Sequence, residues 1–456
     1  MISELLQSQK NYFNTGATKT VSFRKQALKR LKTELVKREK ETIEALAKDF
    51  NKPAFESVLT ETSVVLSDLD LMIKNITKWA KPKRVRPVLL NFPSTDRLYA
   101  EPYGQTLIIA PWNYPYQLAI APMVAAIAAG NTVVLKPSEL TPNTAKLLKN
   151  IVSNVFKPEH VVVVEGDAEK ASKLLEQRWD YIFFTGSVNV GKIVAKAAAK
   201  HLTPVTLELG GKNPCIVDES ANIKLAAKRI VWGKFLNAGQ TCIAPDYILI
   251  DKSVKKVFYK AMQNEINKAY SKSPIQSKDF CRIVNQKHFE RLAKMLENQN
   301  CIIGGQTQAK TLYISPTLID EPKLNSKVMK DEIFGPILPV ISYNKSQEID
   351  TIISKYHKPL SLYIFSTNSD RAKQIIEKFS FGGGCINDTV IHFANHRLPF
   401  GGVGYSGIGA YHGKLSFDTF SHKKAVVKKG NWLDLPVRYA PYKDKLDRVR
   451  TMLKWL

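Results

Sequence analysis

Cysteine is scarce in this chain and nowhere arranged in pairs. The five cysteines, Cys215, Cys242, Cys281, Cys301 and Cys385, are an odd number, widely spaced, without a CxxC pair or a Cys/His spacing of the zinc kind. That pattern argues against a disulfide framework and a structural zinc, and no metal centre is expected. The start, MISELLQSQKNYFNTG, lacks the apolar core of roughly 7–15 residues that a secretory signal carries. The expected location is therefore a reducing cytoplasm, where a free thiol keeps its reactivity. Long apolar runs are missing as well. The longest, LAIAPMVAAIAAG from Leu118 to Gly130, is interrupted by Pro122 and falls short of the ~20 residues a membrane helix needs. It reads as a buried helix, and no transmembrane span is expected.

Acid is in short supply: 41 Asp and Glu stand against 67 Lys and Arg, giving a net charge of +26. Such a balance invites a nucleic-acid or anionic-membrane reading. The lysines are spread along the chain, however, with no long basic block and no aromatic-interleaved basic motif. A solvated basic surface, not a specific nucleic-acid site, follows.

What is present is organisation. At 456 residues the chain exceeds one ordinary core. From Phe23 to Phe50, Leu28, Leu31, Leu35, Ile43 and Leu46 fall near helical spacing among charges, which predicts an amphipathic scaffold helix. Between Lys81 and Pro102, four prolines (Pro82, Pro87, Pro93 and Pro102) break that pattern and mark a boundary with an arm or hairpin. After Gly104 the runs TLIIAPWN, NTVVLKPSE, VVVVEGD, DYIFFTG and PVTLELGG alternate with helical patterns; after Gly211 a second series follows through NPCIVDE, ILPVISY and LSLYIFS. This alternation predicts an α/β fold with two open, helix-covered parallel sheets.

The turn FFTGSVNVGKIV places Gly186, Ser187, Gly191 and Lys192 between a strand and a helix. It resembles a phosphate loop, but Ile193 stands where magnesium needs Ser or Thr. Backbone N–H groups at the start of the helix still suit an anion such as a dinucleotide pyrophosphate. The G-x-G-x-x-G fingerprint is absent, so a tight turn without a ligand remains an equal reading of this stretch alone.

In FLNAGQTCIAPDY, Cys242 sits among small residues where neither a helix stripe nor a strand alternation continues. Asn113, Lys136, Glu139, Glu208, Glu332 and Phe334 lie at predicted strand ends or in the loops that follow, where binding groups of an open parallel sheet collect. A cysteine that processes a carbonyl needs an oxyanion donor, a base and an acceptor for what leaves. Singly, each residue has a plainer reading: Asn113 as a turn residue, Glu208 as a solvated strand end, Cys242 as buried filler.

Taken together, PWNYP, LKPSE, FTGS with Gly191, LELGGKNP, NAGQTCIAP, DEIFGP and PFGGVGYSGIG resemble, in order and spacing, the motifs of the aldehyde dehydrogenase superfamily. FGGGCIND and AYHGKLSFDTFSHKKAV are most similar to its class 3 branch. The resemblance implies two Rossmann-like open-sheet domains and a small β oligomerisation arm. Residues 1–80 and 103–208 would bind NAD or NADP, residues 209–415 would form the catalytic domain, and 81–102 with 416–435 the arm of a homodimer. It implies Cys242 as nucleophile, Asn113 with the backbone N–H of Cys242 as oxyanion site, and Glu208 as the base ahead of Glu332. Lys136 and Glu139 would meet the adenosine ribose, Gly186, Ser187 and Gly191 the cofactor turn, and Glu332 with Phe334 the nicotinamide ribose. The implied reaction oxidises medium- or long-chain aliphatic or aromatic aldehydes to acids through a cysteine thioester. The rival is a non-catalytic basic scaffold that keeps the fold. Residues 436–456, with Leu446, Val449, Met452, Leu453, Trp455 and Leu456 among basic residues, form an amphipathic tail suited to weak contact with an anionic membrane or to packing over the substrate entrance.

Overall fold

The computed structural model describes residues 2–454; Trp455 and Leu456 of the expected tail lie outside the described residues, as does the side chain of Met452. Each apolar run read between Gly104 and Gly211 is a strand. Gln105–Ile109, Thr132–Lys136, Val161–Val163, Tyr181–Thr185 and Val205–Glu208 are mutually parallel. They read as near-continuous apolar segments because both faces are covered. Ile108, Val133 and Leu135 pack on the side of Leu28, Leu69 and the Gln117–Ala129 helix. Leu107, Ile109 and Val134 pack on Leu6, Leu174 and Val194. The Gln117–Ala129 helix is buried on every side and holds Pro122 in its interior, in agreement with its uniformly apolar sequence.

The first strand of the chain in this sheet, Gln105–Ile109, lies at its centre. The next two add on one side and the following two on the other. The order therefore reverses beside Gln105–Ile109, and a crevice opens outside the carboxyl ends of the strands. The register aligns those ends: Ile109 faces Lys136, and Thr185 faces Glu208.

A second sheet has the order Cys301–Ile303, Thr317–Asp320, Ile337–Tyr343, Tyr247–Asp251, Pro214–Val217, Ser361–Phe365, Gly383–Ile386, parallel except at Cys301–Ile303. A third, antiparallel sheet joins Lys83–Val85, Ser94–Pro102 and Ser421–Lys429, the last two paired from Pro102↔Ser421 to Ser94↔Lys429. These strands lie within the spans 81–102 and 416–435.

Two boundaries differ from expectation. The span 209–415 does not stay in the second domain: Gly407–Ile408 pairs antiparallel with Val205–Glu208, and Phe400, Tyr411, Phe417 and Phe420 join the core of the first. Short connections near its end hid this return. The helix expected over Phe23–Phe50 is two, Val21–Lys37 and Glu39–Phe50, because Arg38 leaves helical geometry at φ −102°, ψ 14°. The leucine stripe runs through the break, so periodicity alone does not reveal it. Among the described residues no helix is long and apolar enough to cross a membrane.

Candidate active site

The helix Ile223–Phe235 delivers the chain to Cys242 through an unusual backbone. Asn237, Ala238 and Gly239 all have positive φ, at 53°, 52° and 73°. For residues with a Cβ this conformation costs roughly 1–2 kcal/mol each, so surrounding contacts must impose it. They are present. Asn237 N donates to Glu56 Oε2 at 2.9 Å, and Asn237 Nδ2 donates to Asn113 O at 2.8 Å. Gln240 Nε2 donates to Asn237 O at 3.1 Å and to Arg282 O at 3.0 Å. A Cβ on Gly239 would stand 2.3 Å from Gly335 O. The glycine is thus required by the close approach of the EIFGP loop, and Thr241 spends its hydroxyl on Tyr114, 2.6 Å away.

Cys242 opens onto an apolar cavity of about 460 Å³ that Glu208, Tyr114, Leu118, Trp232 and Phe393 also line. Asn113 is buried but is not among the cavity-lining residues; its Nδ2 donates to Gln240 O, two residues before Cys242, at 3.1 Å. Glu332 folds back onto the end of Val205–Glu208, where a Cβ on Gly210 would lie 2.1 Å from its Oε2. Burial pushes the Cys242 thiol up to about 12, with the fields of Glu332 and Glu208 adding to the rise. Burial also raises Glu332 to about 8 and Glu208 well above the usual carboxylate range. Glu208 is buried and neither carboxyl oxygen has a hydrogen-bond partner. Burial thus disfavours the ionised form of all three groups. The backbone N–H groups of Cys242 and Ile243 work against that trend by favouring the thiolate.

The remaining candidates lie outside the cavity, Lys136, Glu139, Gly186 and Ser187 at or just after the carboxyl ends of strands of the first sheet and Phe334 in the loop before Ile337–Tyr343. Lys136 ends its strand, buried, and donates from Nζ to Glu139 Oε2 at 2.7 Å; Glu139 is partly exposed. Gly186 follows Tyr181–Thr185, its N donating to Glu208 O at 2.9 Å, and a Cβ there would meet the Phe184 ring at 2.5 Å. Ser187 Oγ accepts from Val190 N at the start of the helix Val188–Ala199. Gly191 lies inside that helix and admits Leu209, 2.7 Å from its absent Cβ. It brings helix and strand together instead of shaping the turn. Phe334, at φ 53°, sets its ring edge-on to Trp112 at 5.3 Å. A helix N-terminus after Tyr181–Thr185, an acid–base pair at the end of Thr132–Lys136 on the other side of Gln105–Ile109, and a crevice at the reversal of strand order together suit a dinucleotide.

The chain matches the family model described as "Aldehyde dehydrogenase family" over residues 2–426. The chain belongs to the aldehyde dehydrogenase family. The 4,4'-diaponeurosporen-aldehyde dehydrogenase of Staphylococcus aureus is 46% identical over 456 residues, covering 100% of this chain and 99% of the relative. The dimeric NADP-preferring aldehyde dehydrogenase of Canis lupus familiaris is 41% identical, covering 98% and 99%. A substrate-bound structure of Staphylococcus aureus AldH, 46% identical, superposes with a TM-score of 0.98 over 99% of each chain. The protein is an oxidoreductase acting on aldehydes with NAD or NADP as cofactor, which removes the scaffold reading.

In this aldehyde dehydrogenase several supporting residues escaped the sequence reading. Asn213 Nδ2 donates to Cys242 O at 2.7 Å and Ala244 O at 3.0 Å, while its Oδ1 accepts from Ser361 N at 2.8 Å. Asp246 takes the buried Lys212 Nζ at 2.6 Å and Ile333 N at 2.9 Å, fixing the loop that carries Glu332. Glu61 lies within a single π-helical turn, Val58–Thr62, and accepts from Lys52 Nζ at 2.6 Å, Tyr116 N at 2.9 Å and Gln117 N at 3.1 Å. It thereby caps the helix that follows Asn113. LELGGKNP and CIAPDY contain Asn213 and Asp246, but nothing in their pattern says what they hold.

Proposed function

We propose that Cys242 is the nucleophile, Asn113 the oxyanion donor and Glu208 the principal base. The Cys242 sulfur attacks the aldehyde carbon as a thiolate, its proton passed to Glu332 or Glu208 in the ionised form, to give a thiohemiacetal whose oxyanion meets Asn113 Nδ2 and the Cys242 N–H. Bound NAD or NADP supplies a hydride acceptor and a positive ring charge that favours the thiolate. Once the carbon has lost hydride, Cys242 carries a thioester. Glu208 takes a proton from water as its oxygen attacks, and the acid departs as the sulfur is released. A carboxylate with a raised pKa is the stronger base when ionised, and hydration of the emptied cavity favours that ionised form. Glu332 is the second candidate. Lys136, Glu139, Gly186 and Ser187 would hold the cofactor's ribose and pyrophosphate, with Gly191 packing the helix behind them; Glu332 and Phe334 would meet the nicotinamide ribose.

The observation that carries this reading is the cavity: one thiol and one unpaired carboxyl group among apolar walls. Leu59, Val64, Leu118, Trp232 and Phe393 suit medium- or long-chain aliphatic or aromatic aldehydes. An aldehyde panel assayed with each cofactor tests it. Rising kcat/KM with chain length or aromaticity is expected; a preference for short hydrophilic aldehydes would sink the assignment.

The arm supports a homodimer. Ser421–Lys429 is a nine-residue edge strand with Val426 and Val427 exposed, and Val88, Leu89, Phe92 and Trp432 expose further apolar surface nearby. A second copy of the arm covers this surface in our reading. The five free cysteines suit the cytoplasm, where we place the protein.

A further inference from the structure

Asp68, His396 and His412 come together at one end of the cavity, though they are scattered in sequence. Each offers one ligand atom, and these atoms all lie within 4.8 Å of one another. His396 Nδ1 is 3.2 Å from Asp68 Oδ1. Metal–ligand bonds of about 2.0–2.2 Å in tetrahedral array place neighbouring ligand atoms roughly 3.3–3.5 Å apart, so this edge is nearly formed. The other ring nitrogen, His396 Nε2, meets Ser67 Oγ at 3.0 Å, the outer contact that commonly orients a metal-ligating imidazole.

His412 is the decisive member. It is 3% exposed, and neither ring nitrogen has a hydrogen-bond partner. The backbone of Asn395 and Leu398 lies beside the ring without hydrogen-bond geometry to either nitrogen. The residue adopts φ 104°, and its own N–H is held by Ser416 Oγ at 2.7 Å. Its ring is thus fixed, buried and turned toward a carboxylate and a second imidazole. Ser67, His396 and His412 line the same cavity as Cys242, and the exposure of Ser63 and Ser67 marks this end as the mouth.

We propose that Asp68, His396 and His412 bind a divalent transition metal of the zinc class at the mouth of the cavity. Two imidazole nitrogens and one carboxylate oxygen suit Zn²⁺, Co²⁺ or Ni²⁺ over Ca²⁺ or Mg²⁺, and three protein ligands leave a position open toward the cavity. Occupancy obstructs aldehyde entry; that effect rests on the cavity being the aldehyde path, whereas binding does not.

Co²⁺ titration of the full chain, read by visible absorbance, tests binding, with Cys242→Ser as the reference that removes the competing thiol. One equivalent should bind to the wild type and to Cys242→Ser. Affinity should fall at least about tenfold in His412→Gln and, at the partly exposed ligand, in His396→Gln, with NAD binding retained as the check on folding. Unchanged Co²⁺ affinity in both histidine variants, or loss of binding in Cys242→Ser, overturns the site. Zn²⁺ should raise the KM for an aldehyde at least tenfold without changing that for NAD. If Zn²⁺ binds and the aldehyde KM stays put, obstruction is wrong. If no aldehyde is oxidised even without metal, the reading of the cavity fails while the Co²⁺ result stands on its own.

Discussion

The two ends of the crevice are built differently. At the thiol end, Cys242, Glu208 and Glu332 sit where burial raises all three pKa values, and a backbone with three successive positive φ angles is pinned by Glu56, Asn113 and Gly335. At the Gly186 end, the turn follows a regular strand, Ser187 caps an ordinary helix, and Glu139 is partly exposed. In the proposed reading, covalent chemistry stands on strained, over-determined backbone, and binding of a charged, hydrated ligand on relaxed backbone. The π-helical turn at Val58–Thr62 belongs to the first kind, since Glu61 within it caps the helix behind Asn113.

Substitutions can break this contrast. Replacing the base strikes the thiol end hardest: Glu208→Gln should slow thioester hydrolysis by about 10²–10⁴-fold in single turnover while the hydride-transfer burst persists. If Glu332→Gln does this instead, the two carboxylates exchange roles. That variant also carries a pH signature. Glu332 holds its proton in the folded protein up to about pH 8 but releases it above pH ~4.5 when unfolded, so it reduces stability as pH rises between those values. Denaturant titrations of Glu332→Gln should show a flatter decline over that window. Asn113→Ala should lower kcat by ~10²–10³ with cofactor affinity unchanged, measured by steady-state kinetics and nucleotide titration.

Support beneath the thiol end is testable as stability. Lys52 and Glu61 form an ion pair whose side chains are both 0% exposed. Glu61→Ala leaves the Lys52 charge and two backbone N–H groups unpaired, and chemical unfolding should report a loss of about 3–5 kcal/mol. The smallest effect belongs to the open end. Glu139→Gln frees Lys136 for a 2′-phosphate and should raise the NADP-to-NAD ratio of kcat/KM by roughly five- to tenfold. A larger change in kcat than in this ratio would erase the contrast between the ends.

Much of the sheet was legible because strands buried on both faces leave unmistakable apolar runs, as TVVLK at 132–136 and YIFFT at 181–185 do. The break at Arg38 was not, since hydrophobic spacing survives it. The reason for Gly191 was hidden because a glycine for close packing and one for a ligand look alike in sequence. Asn213, Asp246 and the His396–His412 pair depend on partners far along the chain, and no local pattern announces such contacts. Cys242 itself gained meaning only from its company: its thiol is raised and partly buried, and by itself it reads as inert.

The central claim is that aldehyde carbon passes through a covalent bond to Cys242. Rapid quenching of Glu208→Gln with NAD and a medium-chain aldehyde, followed by peptide mass analysis, tests it most directly. An acyl mass on the peptide containing Cys242, absent without NAD and absent in Cys242→Ala, is the predicted result. Undiminished NADH formation by Cys242→Ala would contradict the account.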